Sequence, residues 1–232
     1  QLRLRDQLVN HMGFTKSTSD PCLFSKRGSD GSVMILGVYA DGIVLAHKNA
    51  DLDWFIREFT GPKGFNAKHL GKLSWFLGMG IDQHEDSSVS IEQTLYVKKL
   101  VEKFCPTARS MNKRAHPTPN AIHFQKLRPA ENDVERERAS RLPYLQLIGS
   151  LLYLSTMTRP DIAYYMSTLC TLMHDPTVAA YNTAIDLLLY VHHTNHTHLH
   201  FSGSTAAHPG IPQSHHAHIA LNHGLMAYSD AS

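Results

Sequence analysis

Cysteine is scarce and odd in number: three among 232 residues, Cys22, Cys105 and Cys170, far apart in the chain. That excludes a disulfide framework and fits a reducing compartment. No apolar run approaches the ~20 residues that cross a bilayer, and no signal-peptide pattern opens the chain. Charge of one sign is also lacking, with 22 Lys and Arg against 20 Asp and Glu. Net charge therefore says little about partners. There is no internal repeat and no HExxH metal motif. What is present is 42% apolar and 18% charged residues, enough for a packed core and against wholesale disorder. The length suits one large domain or one and a half ordinary ones. The chain starts at Gln1 and stops at Ser232 in mid-pattern, and reads as a piece of something longer.

Distribution is more telling than the totals. From Lys98 to Arg128 there are eight basic residues (Lys98, Lys99, Lys103, Arg109, Lys113, Arg114, Lys126, Arg128) and one acid, Glu102. A local positive field of that kind suits a polyanion such as a nucleic-acid backbone, or else belongs to a solvated helix and loop. From His192 to Ser232 there is no Lys or Arg, and ten of the 17 histidines lie there. His192 and His196 have the spacing of a shared helix face, His198 and His200 that of a shared strand face. Both spacings suit zinc, but no Cys and no second carboxylate accompany them. Drifted surface histidines are the simpler account.

Periodicity predicts mixed structure. Residues 2–12 carry Leu4, Leu8, Val9 and Met12 at helical spacing, with Gly13 placed to end the helix. A short strand follows Pro21. Val33 to Ala40 and Ile43 to Ala46 read as strands around Asp41-Gly42, a strong hairpin signal. A helix is predicted from Asp51 to Phe59, capped by Asp51 or Asn49. Trp75 to Ile81 and Val89 to Glu92 read as strands, and Thr94 to Phe104 as a helix. Residues 105–142 are polar and proline-bearing and read as a long connection. Beyond Pro143 the pattern is helical through His193, with Pro160 at a first turn. The tail, 198–232, reads as strands joined by Pro/Gly turns.

Several ordered blocks carry a family resemblance. Gly13-Phe14 and then Ser19-Asp-Pro-Cys-Leu-Phe precede Val38-Tyr39-Ala40-Asp41-Gly42-Ile43. Leu70-Gly-Lys-Leu-Ser-Trp-Phe-Leu-Gly-Met comes next, followed by His116-Pro-Thr-Pro. Tyr144, Leu147-Ile-Gly-Ser-Leu-Leu-Tyr-Leu and Thr158-Arg-Pro-Asp-Ile-Ala follow, and Ala227-Tyr-Ser-Asp230-Ala closes the series. Together they resemble the reverse transcriptase region of copia-type LTR-retrotransposon Pol polyproteins, running into the start of RNase H. The likeness spans nearly the whole chain.

The resemblance implies an α+β fold: a partial palm with an antiparallel hairpin, a helical thumb- and connection-like segment, and the first RNase H strands. The implied divisions are 1–92 for the partial palm, 93–142 for the thumb-like helix and basic connection, 143–196 for a helical connection and 197–232 for the opening of RNase H. It implies an RNA/DNA template-primer as partner, no membrane, an intracellular location and Mg2+ as cofactor. Polymerases of this class use two Mg2+ ions held by converging carboxylates, one from an earlier palm strand and a pair in a Tyr-x-Asp-Asp box.

This chain departs from that pattern. Asp41 matches the first Asp of the pair, but the second position is Gly42, which offers no ligand. The segment that would carry the earlier carboxylate lies upstream of the block matching residues 1–12. Asp41 is therefore expected to be a vestigial metal ligand, and Asp230 a vestigial RNase H ligand. No DNA synthesis is expected, and Mg2+ is not expected to be held stably. Tyr39 is a candidate primer contact, or a half-buried sheet tyrosine. Lys98, Lys99, Lys103, Lys113 and Arg114 are candidate phosphate contacts, and Arg159 is expected to tie helices together. Three other readings stay open. They are a polymerase completed by another chain, a non-enzymatic nucleic-acid-binding module using 98–128, and a histidine-rich metal binder. Sheet surface left uncovered should favour partial order in the first half and self-association.

Overall fold

The computed structural model describes residues 2–28, 31–40, 42–47, 49–62, 64–86, 88–105, 124 and 126–201. By their contacts the residues fall into two units, Gln1–Leu73 and Ser74–Ser232. Helices and antiparallel sheets make the architecture α+β, as expected.

The first unit opens with α1 (Leu2–Asp6), which continues as a π-helical turn (Gln7–His11). Gly13 follows at φ +73°, a conformation open to glycine at little cost, and ends the helix where the sequence placed its stop. Four strands come next: β1 (Thr15–Lys16), β2 (Leu23–Arg27), β3 (Val33–Tyr39) and β4 (Gly42–Ala46). They pair antiparallel in chain order, β1-β2-β3-β4. Alternation sorts the sheet's two faces. Phe24, Met34 and Leu36 point into a core with Leu8, Met12, Phe14, Phe55 and Phe59. Leu23, Val33, Ile35 and Tyr39 lie on the other face, 40% to 58% exposed.

Helix α2 (Asn49–Thr60) supplies Phe55 and Phe59 to that core, stacked at 5.3 Å. It begins earlier than predicted, so Asp51 sits in the first turn and accepts a hydrogen bond from Ser32 Oγ at 3.3 Å instead of capping. Lys26 ties the sheet to the helices. Its Nζ donates to Met12 O at 2.6 Å and sits 3.9 Å above the Trp54 ring.

In the second unit β5 (Trp75–Phe76), β6 (Met79–Gln83), β7 (Val89–Glu92) and β8 (Leu199–Phe201) form an antiparallel sheet in that order. The single strand predicted from Trp75 to Ile81 is two strands. Leu77 and Gly78 take φ +51° and +77° and form a two-residue turn, closed by Phe76 opposite Met79. Positive φ at both loop positions is what a tight hairpin needs. The hydroxyl of Tyr153 donates to Leu77 O and holds the turn.

The helices of this unit are α3 (Thr94–Phe104), α4 (Asp133–Ser140), α5 (Tyr144–Met157), α6 (Ala163–Thr171) and α7 (Val178–His193). A short 3-10 turn (Pro160–Ile162) precedes α6. Leu147, Ile148, Leu151, Leu154, Leu169, Leu187, Leu188 and Val191 are wholly enclosed and make the core. Tyr144 is buried among them and donates to Leu169 O at 2.8 Å; burial pushes its pKa well up. Helix α4 falls inside the stretch 105–142 that reads as connection. Its start is fixed by Asn132, whose side chain accepts from Glu135 N at 3.0 Å. Helix α7 stops at His193, so His192 and His196 do not share a helix. Among the described residues no helix is long and apolar enough to cross a membrane.

Candidate functional site

The hairpin that carries the Tyr-Ala-Asp-Gly box joins β3 to β4. Its register pairs Tyr39 with Gly42, Val38 with Ile43 and Leu36 with Leu45. The connecting residues are therefore Ala40 and Asp41, and Gly42 belongs to the strand, whereas the sequence placed Asp41-Gly42 together at the turn. The reason lies in the side chains. Leu36, Val38, Ile43 and Leu45 all pack on the core face, and slipping the register by one would turn β4's pair outward. Ala40 consequently takes φ +51°, a region that glycine would occupy at less cost. Asp41 itself lies outside the described residues, as do Lys113, Arg114 and Asp230.

Tyr39 closes the hairpin with its side chain 58% exposed on the open face of the sheet. It is more accessible than the half-buried sheet tyrosine that was the simpler reading.

The basic residues of α3 are placed by helical period. Val97, Leu100, Val101 and Phe104 are buried, which turns Lys98, Lys99, Glu102 and Lys103 outward. Lys103 Nζ lies 4.9 Å from the Phe104 ring centre. The structure thus brings three of the candidate phosphate-binding cations onto one exposed helix face. Tyr39 belongs to the first unit and those lysines to the second.

Arg159 is 3% exposed, and its guanidinium is fully engaged. Nε and Nη2 grip the two oxygens of Asp161 at 2.9 and 2.7 Å. Nη1 donates to Val191 O in the last turn of α7 and to Thr194 O just after it, at 3.2 and 3.3 Å. Tyr190 Oη adds a bond to Asp161 at 2.8 Å. This residue ties the start of the 3-10 turn to the end of α7, the structural role expected of it. Burial opposes both charges. The hydrogen bonds between them outweigh it, holding Asp161 below the usual carboxylate range and Arg159 above its own.

Histidines do meet in one place that the sequence did not suggest. His84 Nε2 and His200 Nδ1 lie 2.9 and 3.1 Å from the same hydroxyl, Ser90 Oγ, joining the residue after β6 to β7 and β8. Among the described residues, however, no three His, Cys, Asp or Glu side chains are arranged to hold a metal. An open cleft of about 590 Å³ lies at the α4–α5 corner, near Arg136, Arg141 and Met173. Its arginines are occupied by Asp133, Asp175 and Glu137.

Comparison with known proteins gives the geometry its context. Over 205 residues, 86% of this chain, it is 29% identical to the retrovirus-related Pol polyprotein from transposon TNT 1-94 of Nicotiana tabacum, covering 15% of that protein. It is 27% identical over 188 residues to a Saccharomyces cerevisiae protein assigned to transposon Ty5-1, covering 80% of this chain and 57% of that one. It is 30% identical over 159 residues to an uncharacterized mitochondrial protein of Arabidopsis thaliana, covering 68% and 61%. The chain therefore spans less than two thirds of the length of each of these relatives. No solved structure matches it. Residues 3–119, half of the chain and including the hairpin and α3, match the model of the reverse transcriptase (RNA-dependent DNA polymerase) family, and the chain belongs to that family.

Proposed function

We propose that this chain is a copia-type reverse transcriptase fragment that has lost polymerase chemistry and keeps a surface for nucleic acid. In this reading the first sheet is part of the palm, α3 stands where a thumb helix grips template-primer, and residues 197–232, with Asp230, open an RNase H domain.

The observation that carries the loss of chemistry is Gly42. The family's reaction needs Mg2+, which demands converging oxygen donors. The donor set at this hairpin does not fit that need. Tyr39, Ala40 and Gly42 surround the box with no second carboxylate, and Gly42 is committed to the ladder opposite Tyr39. Asp41 and Asp230 are then remnants of metal sites. Without the ions, the charge stabilisation on which phosphoryl transfer mostly depends is gone. Primer extension on an RNA template tests this reading, with no incorporation expected.

A non-enzymatic nucleic-acid-binding role is favoured by a separate observation, the exposed face Lys98, Lys99, Lys103. Phosphate contacts from such a face position a duplex or single strand without reading its sequence. Lys113 and Arg114 extend the same charge along the chain. A salt-titrated gel shift distinguishes this role from a merely solvated helix.

A further inference from the structure

Helix α3 starts without a side-chain cap at its N-cap position. Gln93 stands there, where Ser, Thr, Asp or Asn would satisfy a free backbone N–H, and its side chain makes no such bond. The side chain is spent elsewhere. Gln93 is 4% exposed, and its Oε1 accepts from the hydroxyl of Thr158 at 2.8 Å. Thr158 is equally buried and is the residue that ends α5. The first turn of α3 is served by Glu92 instead, whose carboxylate accepts from Thr94 N–H, and Thr94 Oγ1 reaches Asn195 O at 3.5 Å. These directional contacts all lie at the N-terminal end of the helix. Further along, the grip is apolar, through Val97, Leu100, Val101 and Phe104, with Tyr96 edge-on to Tyr153 at 5.4 Å. Apolar burial is non-directional and fixes depth more firmly than angle.

We propose that Gln93 is a positioning residue for the nucleic-acid face of α3, acting through Thr158. This role rests on the reading of Lys98, Lys99 and Lys103 as phosphate contacts, and supplies what aims them. The Gln93–Thr158 bond ties the root of the helix to the end of α5. Lys103 lies ten residues beyond that root. At about 1.5 Å of rise per residue that is about 15 Å, so a tilt of about 10° carries it about 2.6 Å. Such a shift rivals the length of a charge-assisted hydrogen bond to phosphate. Lysines held in place meet phosphates at a lower ordering cost than lysines on a helix free to rock.

Stability alone gives little reason for a buried Gln–Thr pair. Two apolar side chains of the same shape would serve nearly as well. What the pair adds is direction, because a hydrogen bond demands both a distance and an angle.

The test is fluorescence anisotropy of a labelled RNA/DNA hybrid duplex, titrated with the full chain across a salt series. The proteins are wild type, Thr158→Ser, Gln93→Met, the double variant Gln93→Met with Thr158→Val, and the triple variant with Lys98→Gln, Lys99→Gln and Lys103→Gln. Binding is read at a temperature where circular dichroism shows every variant fully folded. Gln93→Met alone leaves the Thr158 hydroxyl unpaired and should lower the urea midpoint, whereas the double variant removes both partners and should regain most of it. Binding should not follow stability. Both Met variants should bind at least about threefold more weakly than wild type, with the salt slope reduced by about 1 as one phosphate contact is lost. Thr158→Ser keeps the hydroxyl and should bind as the wild type does. A double variant that binds like the wild type overturns the proposal, since Gln93 is then only part of the packing. So does Thr158→Ser binding as weakly as the Met variants, because the hydroxyl's bond is then not what aims the helix. A wild type that does not bind, or that binds equally well without the three lysines, overturns the phosphate-contact reading itself and the proposal with it.

Discussion

Arg159 grips Asp161 two residues along the chain with one edge of its guanidinium, Nε and Nη2, at 2.9 and 2.7 Å, while its third nitrogen closes the end of α7. The pair works as a clasp between two helical segments more than as a surface charge contact. Replacing Arg159 by Met removes the bonds to Val191 O and Thr194 O and strands Asp161, which Tyr190 alone cannot neutralise. The expected loss is on the order of 3 kcal/mol in urea unfolding. Asp161→Asn should cost less, since the amide still accepts from Tyr190. The pH dependence has a definite sign. Asp161 is held below its unfolded value of about 4, so the clasp's contribution is complete above that value. It is lost as pH falls through the lowered folded value. Denaturant midpoints of wild type and Asp161→Asn should therefore converge in acid.

Tyr153 and Leu77 give a second prediction. The Tyr153 hydroxyl donates to the carbonyl of a leucine held at φ +51°. Tyr153→Phe should lower stability by about 1 kcal/mol, the worth of one hydrogen bond. Leu77→Gly should relieve about 1 kcal/mol of backbone strain, set against the lost partial burial of leucine. Thermal unfolding of the two single variants and the double variant separates these effects.

The lysines of α3 predict a salt dependence. If Lys98, Lys99 and Lys103 each neutralise one phosphate, changing all three to Gln should reduce the slope of log K against log salt by roughly 2 to 3. Stability should hardly change, because all three are exposed. An unchanged slope assigns the helix face to solvent.

The helix α3 was legible in the sequence because Val97, Leu100, Val101 and Phe104 mark one face. The same spacing put the lysines on the other. Helix α4 was not, because Asp-Val-Glu-Arg-Glu-Arg-Ala-Ser offers almost no apolar stripe; the signal available was the cap pair Asn132 and Glu135. The hairpin turn was placed one residue late. A local preference for Asp-Gly at a turn lost to the requirement that Ile43 and Leu45 face the core. The break at Leu77 was hidden because leucine gives no warning of positive φ, and only Gly78 hinted at it. The pairing of β8 with β7 joins residues about a hundred positions apart, beyond the reach of any local pattern. For the candidate site, the residue types and their order were readable. The burial of Arg159 and the exposure of Tyr39 came only from packing.

The central claim is that a Tyr-Ala-Asp-Gly box cannot run metal-dependent strand copying. The most direct measurement is primer extension on an RNA template with Mg2+ present, comparing the wild type with Asp41→Ala. The account predicts no incorporation by either protein beyond a blank without enzyme. Incorporation by the wild type that needs the metal and disappears in Asp41→Ala would contradict it.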